Sequence, residues 1–351
     1  MKNIVISSIE QYGYLIDTYK YCEKLKKSNK ITYVCFDYGF EKIEDELVNV
    51  IYLPKEGSLI KRMINLNRTV AKVAKKNKCD LIFNVYNPLV FITKLLTLGK
   101  RNILDIRTGS IDPIKENRDK ANKRILFNSK FFSEVTIISQ SLAELLKIKD
   151  YTIIPLGGDR VIKNIVKNLD KIRLLYVGVL ADRKIIDTVI AFNRFVEKYP
   201  DLDIEYDIIG YFIDENSKES KEFFSEVNKN QKINYLGRKK HEELEEYFNK
   251  ANVGVSYVPM TEYYDVQPPT KTFEYLSQGL ITIATNTSEN KKIVNKDNGI
   301  LCDDNSDSFY NALEILLKKR FDFNTDYLRE SVKEYSWDYI IDNKLIPIIE
   351  K

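Results

Sequence analysis

The chain has 351 residues, of which 44% are hydrophobic and 30% are charged, with a net charge of +4 and one histidine. This length accommodates two domains of ordinary size, and the composition excludes a disordered protein. A single histidine excludes mechanisms that need two, whether as a catalytic dyad or as metal ligands.

The sequence contains no run of about 18 apolar residues, so no membrane-spanning helix is predicted. The four cysteines lack metal-ligand spacing, and reduced thiols in a cytoplasmic protein are expected. Charge is uneven, because residues 1–165 carry about 29 Lys and Arg against about 18 Asp and Glu, while the remainder is acidic by about 7. Two domains that meet different partners are therefore expected.

The first elements read as strand, helix, strand, over residues 2–6, 15–28 and 31–36. Gly13 lies in the loop that follows the first strand. Open α/β folds place ligands at the carboxyl ends of their strands, which makes Gly13 a candidate for a ligand-binding loop. A plain turn is an equally good interpretation of one glycine.

Residues 57–78 predict an amphipathic helix with an intensely basic polar face. One interpretation is an ordinary solvated face, and the other is a helix that lies on anionic lipid headgroups. Nucleic-acid binding is disfavoured, because no aromatic residues interleave the basic ones. A second basic cluster lies in the same half of the chain and comprises Lys115, Arg118, Lys120, Lys123 and Arg124.

The stretch 101–110 predicts a strand that runs into a loop, with Asp105 and Arg107 at its carboxyl end. Asp105 is a candidate for binding an acceptor hydroxyl or for supporting a reaction. A structural pairing of Asp105 with Arg107 and the loop backbone is the alternative.

The second half opens with a strand from Ile172 to Gly178, and a helix follows from Ile185. Lys184 stands at the start of that helix, where the positive end of the helix dipole disfavours a cation unless an anion is bound nearby. The adjacent Arg183 carries a guanidinium, which is suited to phosphate.

The stretch from Pro268 to Asn286 predicts a loop, a short helix that Thr270 or Thr272 caps, the left-handed Gly279 and a buried strand. Lys271 and Glu274 are three residues apart and share one helical face. They either hold a ligand with phosphates at one end and hydroxyls at the other, or form a surface ion pair.

Two other features carry no functional prediction. His241 is interpreted as a solvated residue in the first turn of a helix. Asp303, Asp304 and Asn305 are interpreted as a turn with helix-capping chemistry rather than as a metal site.

The stretch from Lys271 to Thr285 resembles the signature of the family 4 retaining glycosyltransferases, with its lysine, glutamate–tyrosine pair and glycine at the same spacing. Gly178 with Lys184 resembles the family's diphosphate-binding element, and the tail around Trp337 resembles its last helix. The resemblance covers nearly the whole chain and is strongest from about 172 to 345.

Several positions depart from the family pattern. Leu280-Ile281 replaces the usual residue–proline pair, and Val179 stands where an arginine is usual. Ile185 replaces the glycine after the lysine. The family's earlier acidic residue falls on Val266, with Asp265 the nearest carboxylate.

The resemblance implies an α/β protein of the GT-B fold, with two facing Rossmann-like, doubly wound domains and a C-terminal helix that crosses back to the first. The expected domains are an acceptor-side domain at 1–160, a nucleotide-sugar domain at 171–330 and the returning helix at 331–351.

The resemblance also implies retaining transfer of a sugar from a nucleoside-diphosphate sugar to an acceptor hydroxyl, without a metal or other cofactor. The resemblance carries over Lys184 as a residue that holds the diphosphate. The adjacent Arg183 is expected to supply the charge of the family's missing arginine, and Lys271 to assist. Glu274 is expected to bind the ribose, and Gly13 and Gly178 to line the donor site. Asp105 is the candidate on the acceptor side.

By analogy with the family, the acceptor is expected to be a glycan or lipid-linked molecule of cell-surface polysaccharide assembly. Residues 57–78 suggest attachment to the anionic inner face of the plasma membrane as a hypothesis, and no nucleic-acid partner is expected. The main alternative is a weakly active or inactive relative that binds nucleotides or glycans as a partner subunit. A sugar-nucleotide epimerase and a nucleic-acid binder are less favoured.

Overall fold

A computed structural model describes residues 1–159, 165–240 and 243–351, and it divides the chain into two compact units. The first unit comprises Met1–Leu156 together with Trp337–Lys351. The second unit comprises Gly157–Ser336.

Seven parallel strands form the sheet of the first unit: β1 (Asn3–Ser7), β2 (Lys30–Asp37), β3 (Val48–Pro54), β4 (Leu81–Val85), β5 (Arg101–Ile106), β6 (Glu134–Ile137) and β7 (Thr152–Ile153). Their order across the sheet is β3-β2-β1-β4-β5-β6-β7. The chain therefore reverses direction across the sheet between β1 and β4, and this is the switch point at which open α/β sheets place ligands.

The helices of the first unit are α1 (Ile16–Leu25), α2 (Leu59–Lys76), α3 (Phe91–Leu96), α4 (Lys115–Ser129) and α5 (Gln140–Leu146). The predicted basic helix is confirmed as α2, and the Ser58 hydroxyl caps it by accepting a hydrogen bond from the Lys61 amide. Helix α2 packs through Met63, Leu66 and Val70 on one side of the sheet.

A second core cluster joins α1 to the end of the chain. It contains Tyr21, Cys22 and Leu25 from α1 with Trp337 and Ile340 from the last segment. That segment is helical at Trp337–Ile340, forms a π turn at Ile341–Leu345 and ends as a helix at Ile346–Glu350.

Six parallel strands form the sheet of the second unit: β8 (Ile172–Val179), β9 (Ile204–Tyr211), β10 (Ile233–Tyr235), β11 (Val253–Ser256), β12 (Ile281–Thr285) and β13 (Gly299–Cys302). Their order is β10-β9-β8-β11-β12-β13, so the switch point lies between β8 and β11. All five residues of β12 are buried, as the apolar run predicts for a strand covered on both faces.

The helices of the second unit are α6 (Ile185–Lys198), α7 (Lys218–Val227), α8 (Leu244–Lys250), α9 (Glu262–Asp265), α10 (Thr270–Ser277), α11 (Asn290–Ile293), α12 (Ser306–Lys319) and α13 (Thr325–Glu330), with 3-10 turns at Arg320–Asp322 and Lys333–Tyr335. The expected α/β class with two Rossmann-like, doubly wound units is confirmed by the two parallel sheets and their alternating helices.

Candidate functional site

The candidate site of the second unit lies where two adjacent strands end. Strands β8 and β11 pair directly, with Leu174 opposite Val253 and Leu175 opposite Gly254. Their carboxyl ends therefore share one edge of the sheet, at the switch point. The loop after β8 carries Arg183 and Lys184, and the segment after β11 leads through α9 into α10.

The loop after β8 has an unusual backbone. Asp182 and Lys184 both adopt positive φ, at 57° and 53°, which non-glycine residues seldom do. Lys184 is the N-cap residue of α6, and no side chain caps this helix end. Such conformations cost of order 1–2 kcal/mol each and concentrate at functional sites. The loop thus presents two cations beside a helix start that no side chain caps.

The neighbouring strands approach closely at Gly178. A Cβ atom on Gly210 of β9 would lie 2.0 Å from the Gly178 carbonyl oxygen. A Cβ atom on Gly178 itself would lie 3.1 Å from the Tyr176 hydroxyl. Gly178 therefore permits tight packing at the end of β8, just before the loop that carries the cations.

Lys184 is half exposed and forms an ion pair, its Nζ lying 3.0 Å from Oδ2 of Asp304. The same carboxylate oxygen accepts a hydrogen bond from the Met260 amide at 3.1 Å. Burial raises the pKa of Asp304, but the hydrogen bonds from Lys184 and Met260 outweigh it, and the net pKa is lowered. Asp304 is therefore a carboxylate that links the loops after β8, β11 and β13.

Arg183 points to α9 rather than to α10. Its guanidinium lies over the ring of Tyr264, with Cζ 4.3 Å from the ring centroid. This cation–π contact joins the loop after β8 to the segment after β11. Burial raises the pKa of the Tyr264 phenol, against the opposing effect of Arg183. No local pattern in the sequence signals this contact between Arg183 and Tyr264.

Helix α10 carries Lys271 and Glu274 on one face, as their spacing predicts. Lys271 Nζ lies 2.8 Å from Glu274 Oε2, and each side chain is about one third exposed. The pair is therefore partly open to solvent, and ion pairs that water reaches contribute little to stability. Gly279 adopts φ +74°, which confirms the left-handed position predicted after this helix.

The predicted threonine cap of α10 is wrong. Pro269 is the N-cap residue, and no side chain caps the helix. The Thr272 hydroxyl instead donates to Asn290 Oδ1 at 2.6 Å and lies 2.8 Å from the Ser256 hydroxyl. These buried hydrogen bonds use Thr272 to tie α10 to β11 and α11, so the first amides of the helix remain without a side-chain cap.

Tyr275 fixes α10 against the sheet. Its hydroxyl accepts a hydrogen bond from the Val177 amide in β8 at 2.9 Å, and the side chain is fully buried. A Cβ atom on Gly254 of β11 would lie 2.3 Å from Tyr275 Cγ, so only glycine leaves room for this ring. The tyrosine of the motif is thus a positioning residue for the neighbouring Glu274.

Asp265, the carboxylate nearest to the family's earlier acidic position, is engaged inside the loop. Its two oxygens accept from the amide and the hydroxyl of Ser288, at 2.7 and 2.6 Å. In residues 1–159, 165–240 and 243–351, no group of three or more His, Cys, Asp or Glu side chains is placed to hold a metal ion. His241 lies outside the described residues.

Two further candidates, Gly13 and Asp105, belong to the first unit. Gly13 follows β1 at the switch point and adopts φ +90°. A Cβ atom there would lie 2.1 Å from Ile43 Cδ1, so the side chain of Ile43 covers this loop. The Gln11 amide group donates to the Phe40 carbonyl at 3.0 Å and holds the covering segment in place.

Asp105 is fully buried at the carboxyl end of β5. Its Oδ1 accepts from the Thr136 hydroxyl at 2.6 Å, while Oδ2 lies 3.7 Å from Arg107 Nε and has no hydrogen-bond partner among the described residues. Burial raises the pKa of Asp105 to about 6, against the lowering effects of Arg107 and Thr136. This environment favours the structural alternative for Asp105.

Arg107 is the centre of the buried network. Its Nε donates to Asp17 Oδ2 at 2.6 Å, and its other nitrogens donate to the carbonyls of Ile154 and Pro155 at 2.9 and 3.3 Å. Arg107 thus ties the start of α1 to the chain that follows β7. No local pattern in the sequence signals the partner Asp17.

The structure brings Gly178, Arg183 and Lys184 to the same sheet edge as Lys271 and Glu274. It places Gly13 and Asp105 in the other unit. None of the described helices has the length and hydropathy needed to cross a bilayer.

A family model described as glycosyl transferases group 1 matches residues 159–336, which is half of the chain. The chain therefore belongs to this family. A comparison with curated protein sequences found no match.

Solved structures of GT-B glycosyltransferases resemble the whole chain. A sucrose-phosphate synthase from Thermosynechococcus elongatus gives a TM-score of 0.75 at 16% identity, over 100% of this chain and 99% of that one. HepE of Anabaena, in complex with UDP and glucose, gives 0.74 at 10% identity over 100% of both chains. The lipopolysaccharide outer core galactosyltransferase WaaB gives 0.71 at 14% identity, over 100% and 99%. At these identities the likeness shows the fold, and the expected GT-B class is confirmed.

Proposed function

We propose that this protein transfers a sugar from a nucleoside-diphosphate sugar to an acceptor hydroxyl and retains the anomeric configuration. The observation that carries the proposal is the cluster at the switch-point edge of the second unit, where three cations and Glu274 follow two adjacent strands. The UDP bound to the structurally similar HepE supports a nucleotide-sugar donor.

The chemistry requires stabilisation of the leaving diphosphate. The bond between the anomeric carbon and the phosphate oxygen breaks, a bond to the acceptor oxygen forms, and negative charge accumulates on the diphosphate. Lys184 and Arg183 lie beside the uncapped start of α6 and meet this charge together with the helix amides. Lys271 assists from α10. These fixed groups supply the electrostatic stabilisation without a metal.

Glu274 fixes the register of the donor. A carboxylate accepts two hydrogen bonds from the vicinal hydroxyls of ribose, and this holds the anomeric carbon in place for attack. In the ligand-free arrangement Glu274 pairs with Lys271 at 2.8 Å. Donor binding is expected to replace this pair with ribose on the carboxylate and phosphate on the ammonium.

The proton of the acceptor hydroxyl goes to the departing phosphate oxygen on the same face of the sugar. This front-face route needs no histidine base and accounts for retention. We propose that Asp105 supports the first unit by holding Arg107, since its full burial separates it from any acceptor.

We further propose an acceptor of the glycan or lipid-linked class, in cell-surface polysaccharide assembly, by analogy with the family. A cytoplasmic protein with peripheral attachment through residues 57–78 fits such an acceptor. Lys61, Arg68, Lys72 and Lys75 are exposed and have no carboxylate partner among the described residues, which supports that attachment.

The second candidate is a weakly active relative that binds nucleotides as a partner subunit. It is favoured by the ion pairs that occupy Lys184 and Lys271, and by Val179 at the family's arginine position. Donor binding without hydrolysis or transfer distinguishes it from the enzyme.

The test is a thermal-shift screen with nucleoside diphosphates and their sugars, followed by assay of nucleotide release with the sugar that binds. Ligands of the native state raise the melting temperature by mass action. Lys184→Ala is expected to abolish the shift and the turnover while the protein without ligand keeps its melting temperature. Proton NMR of the product reads the anomeric configuration. Wild-type turnover in Lys184→Ala would remove Lys184 from the site.

A further inference from the structure

Three helices form a continuous layer on one side of the first sheet, with α3 between α2 and α4. The Thr93 hydroxyl of α3 donates to Asn67 Oδ1 of α2 at 2.7 Å. The Phe91 amide of α3 lies 3.1 Å from Asn128 Oδ1 of α4, to which it donates. We refer to the solvent side of these helices as the three-helix face.

Helix α2 presents an unpaired cation stripe on this face. Lys61, Arg68, Lys72 and Lys75 follow at spacings of seven, four and three residues, which place them on one side of a helix. All four are exposed, and the buried residues of α2 lie on the opposite side. Residues 59–78 contain no Asp or Glu, and within the described chain no carboxylate pairs with these four cations.

Beside the stripe lies an apolar ridge from α3, the turn that follows it and α4. Leu95, Leu98 and Phe127 are 47%, 75% and 52% exposed. Phe127 packs against Phe91 and Phe131, with ring centroids 5.8 and 5.3 Å away, and Leu95 lies one helical turn after Phe91. Large apolar side chains grouped in this way on a surface indicate an interaction site.

A second group of cations flanks the ridge on its other side. Residues 120–130 of and after α4 contain four basic residues and no Asp or Glu. All four are exposed, and they are Lys120, Lys123, Arg124 and Lys130. The three-helix face is therefore an apolar ridge between two cationic helices.

We propose that the three-helix face docks on an anionic lipid bilayer, with Leu95, Leu98 and Phe127 entering the acyl boundary and the cations meeting the headgroups. This inference extends the proposed contact of residues 57–78 to α3 and α4, and it concerns a surface that takes no part in the donor chemistry. Failure of docking and failure of sugar transfer are therefore measured separately.

The combination of side chains selects the bilayer among possible partners. Anionic headgroups attract basic residues, and the layer beneath accepts aliphatic and aromatic ones. A nucleic acid satisfies the cations but leaves the leucines in water. A second copy of the chain covers the ridge but brings like charges together.

The first measurement is co-sedimentation of the full chain with vesicles of phosphatidylcholine, with and without phosphatidylglycerol, at low and physiological salt. Binding is expected only with phosphatidylglycerol and is expected to weaken as salt screens the cations. Arg68→Glu with Lys72→Glu is expected to lower the affinity more than tenfold. The matched control reverses the charges of Lys218 and Lys221, two exposed lysines on α7 in the second unit. This control is expected to have little effect on the affinity for vesicles.

The second measurement reads insertion of the ridge. All four native cysteines are buried, so Leu98→Cys can be labelled selectively with an environment-sensitive fluorophore. The fluorescence emission of the label is expected to shift to shorter wavelength when phosphatidylglycerol vesicles are added. In the same vesicles, Leu95→Ser is expected to make binding more sensitive to salt. Phe321→Ser, a substitution at an exposed aromatic residue of the second unit, is the control.

Equal binding to both vesicle compositions, or none to either, would overturn the proposal. So would an unshifted label in bound protein. If the protein dimerised in a concentration-dependent way without vesicles, and Leu95→Ser abolished this dimerisation, the face would be assigned to a second copy instead. The three-helix face would be assigned to nucleic acid if the protein bound RNA as tightly as is expected for phosphatidylglycerol vesicles and lost that binding when the charges of Arg68 and Lys72 are reversed.

Discussion

Lys184 and Asp304 form an ion pair across 120 residues of sequence, with Nζ 3.0 Å from Oδ2, at the end of the sheet where the donor is proposed to bind. The Asp304 carboxylate is thus bound to the Lys184 ammonium, the group that is proposed to bind the donor diphosphate. Donor binding and this ion pair therefore compete for one cation.

Asp304→Asn is expected to tighten the binding of nucleoside diphosphates several-fold, because Lys184 no longer exchanges one anion for another. Isothermal titration measures the dissociation constant. Asp303→Asn removes a neighbouring carboxylate that does not pair with Lys184, and it is expected to leave the constant unchanged. Weaker binding by Asp304→Asn would show that the carboxylate orients Lys184 instead of competing for it.

Glu274→Gln is expected to raise the Km for the donor about tenfold, because hydrogen bonds from ribose hydroxyls to a charged acceptor are replaced by weaker ones. The free energy of unfolding should change by less than about 1 kcal/mol, since both side chains of the Lys271 pair are about one third exposed. Glu226→Gln breaks a pair of the same spacing with Lys229 and serves as the control. An unchanged Km would remove Glu274 from the donor site.

Asp105 is expected to make stability depend on pH. Its pKa is raised from 3.8 to about 6 in the folded protein, so the folded state binds more protons between these values and loses stability as pH rises through them. The stability of wild type relative to Asp105→Asn should fall by up to about 3 kcal/mol from pH 4 to pH 7. Urea unfolding at several pH values measures it. A difference that is constant with pH contradicts the assignment.

Arg107→Met is expected to destabilise the first unit by about 3–5 kcal/mol, because two buried carboxylates lose their cation. Adding Asp17→Asn and Asp105→Asn should recover most of the loss. Arg194→Met breaks the exposed pair with Asp307 and should cost less than about 1 kcal/mol. Urea unfolding compares these variants, and equal effects of Arg107→Met and Arg194→Met would exclude a buried network.

Gly13→Ala is expected to destabilise the protein more than Gly39→Ala. Both glycines have positive φ, and this alone costs about 1–2 kcal/mol with a side chain. A Cβ atom at position 13 also meets Ile43, whereas nothing lies within 4 Å at position 39. Adding Ile43→Ala should remove only the excess, and thermal unfolding of the three variants tests this separation.

The sequence predicts elements that depend on local pattern. The basic helix at 57–78, the left-handed Gly279 and the buried strand after it follow from periodicity, backbone preference and apolar runs. The sequence assigns no element to the strand Val48–Pro54, whose burial shows no alternation: Val50, Ile51 and Tyr52 are all partly buried, and a proline ends it. Its neighbour β2 supplies the pairing that defines it.

The candidate site is predicted only as far as the motif extends. Lys271 and Glu274 meet because three residues separate them on a helix. The sequence interprets Asp304 as part of a capping turn. Its pairing with Lys184 arises because β8 and β13 belong to one parallel sheet, which places the loops after both strands at the same end. The Asp17–Arg107 pair spans 90 residues and likewise has no local signal.

The chain order of the two units has a consequence for biosynthesis. During translation Met1–Leu156 leaves the ribosome first, and the whole of Gly157–Ser336 follows. Only then does the segment emerge whose Trp337 and Ile340 complete the hydrophobic cluster around α1. Domains commonly fold in order of their emergence from the ribosome. Here the continuous second unit can mature first, because the first unit needs Trp337 and Ile340, which are translated after it.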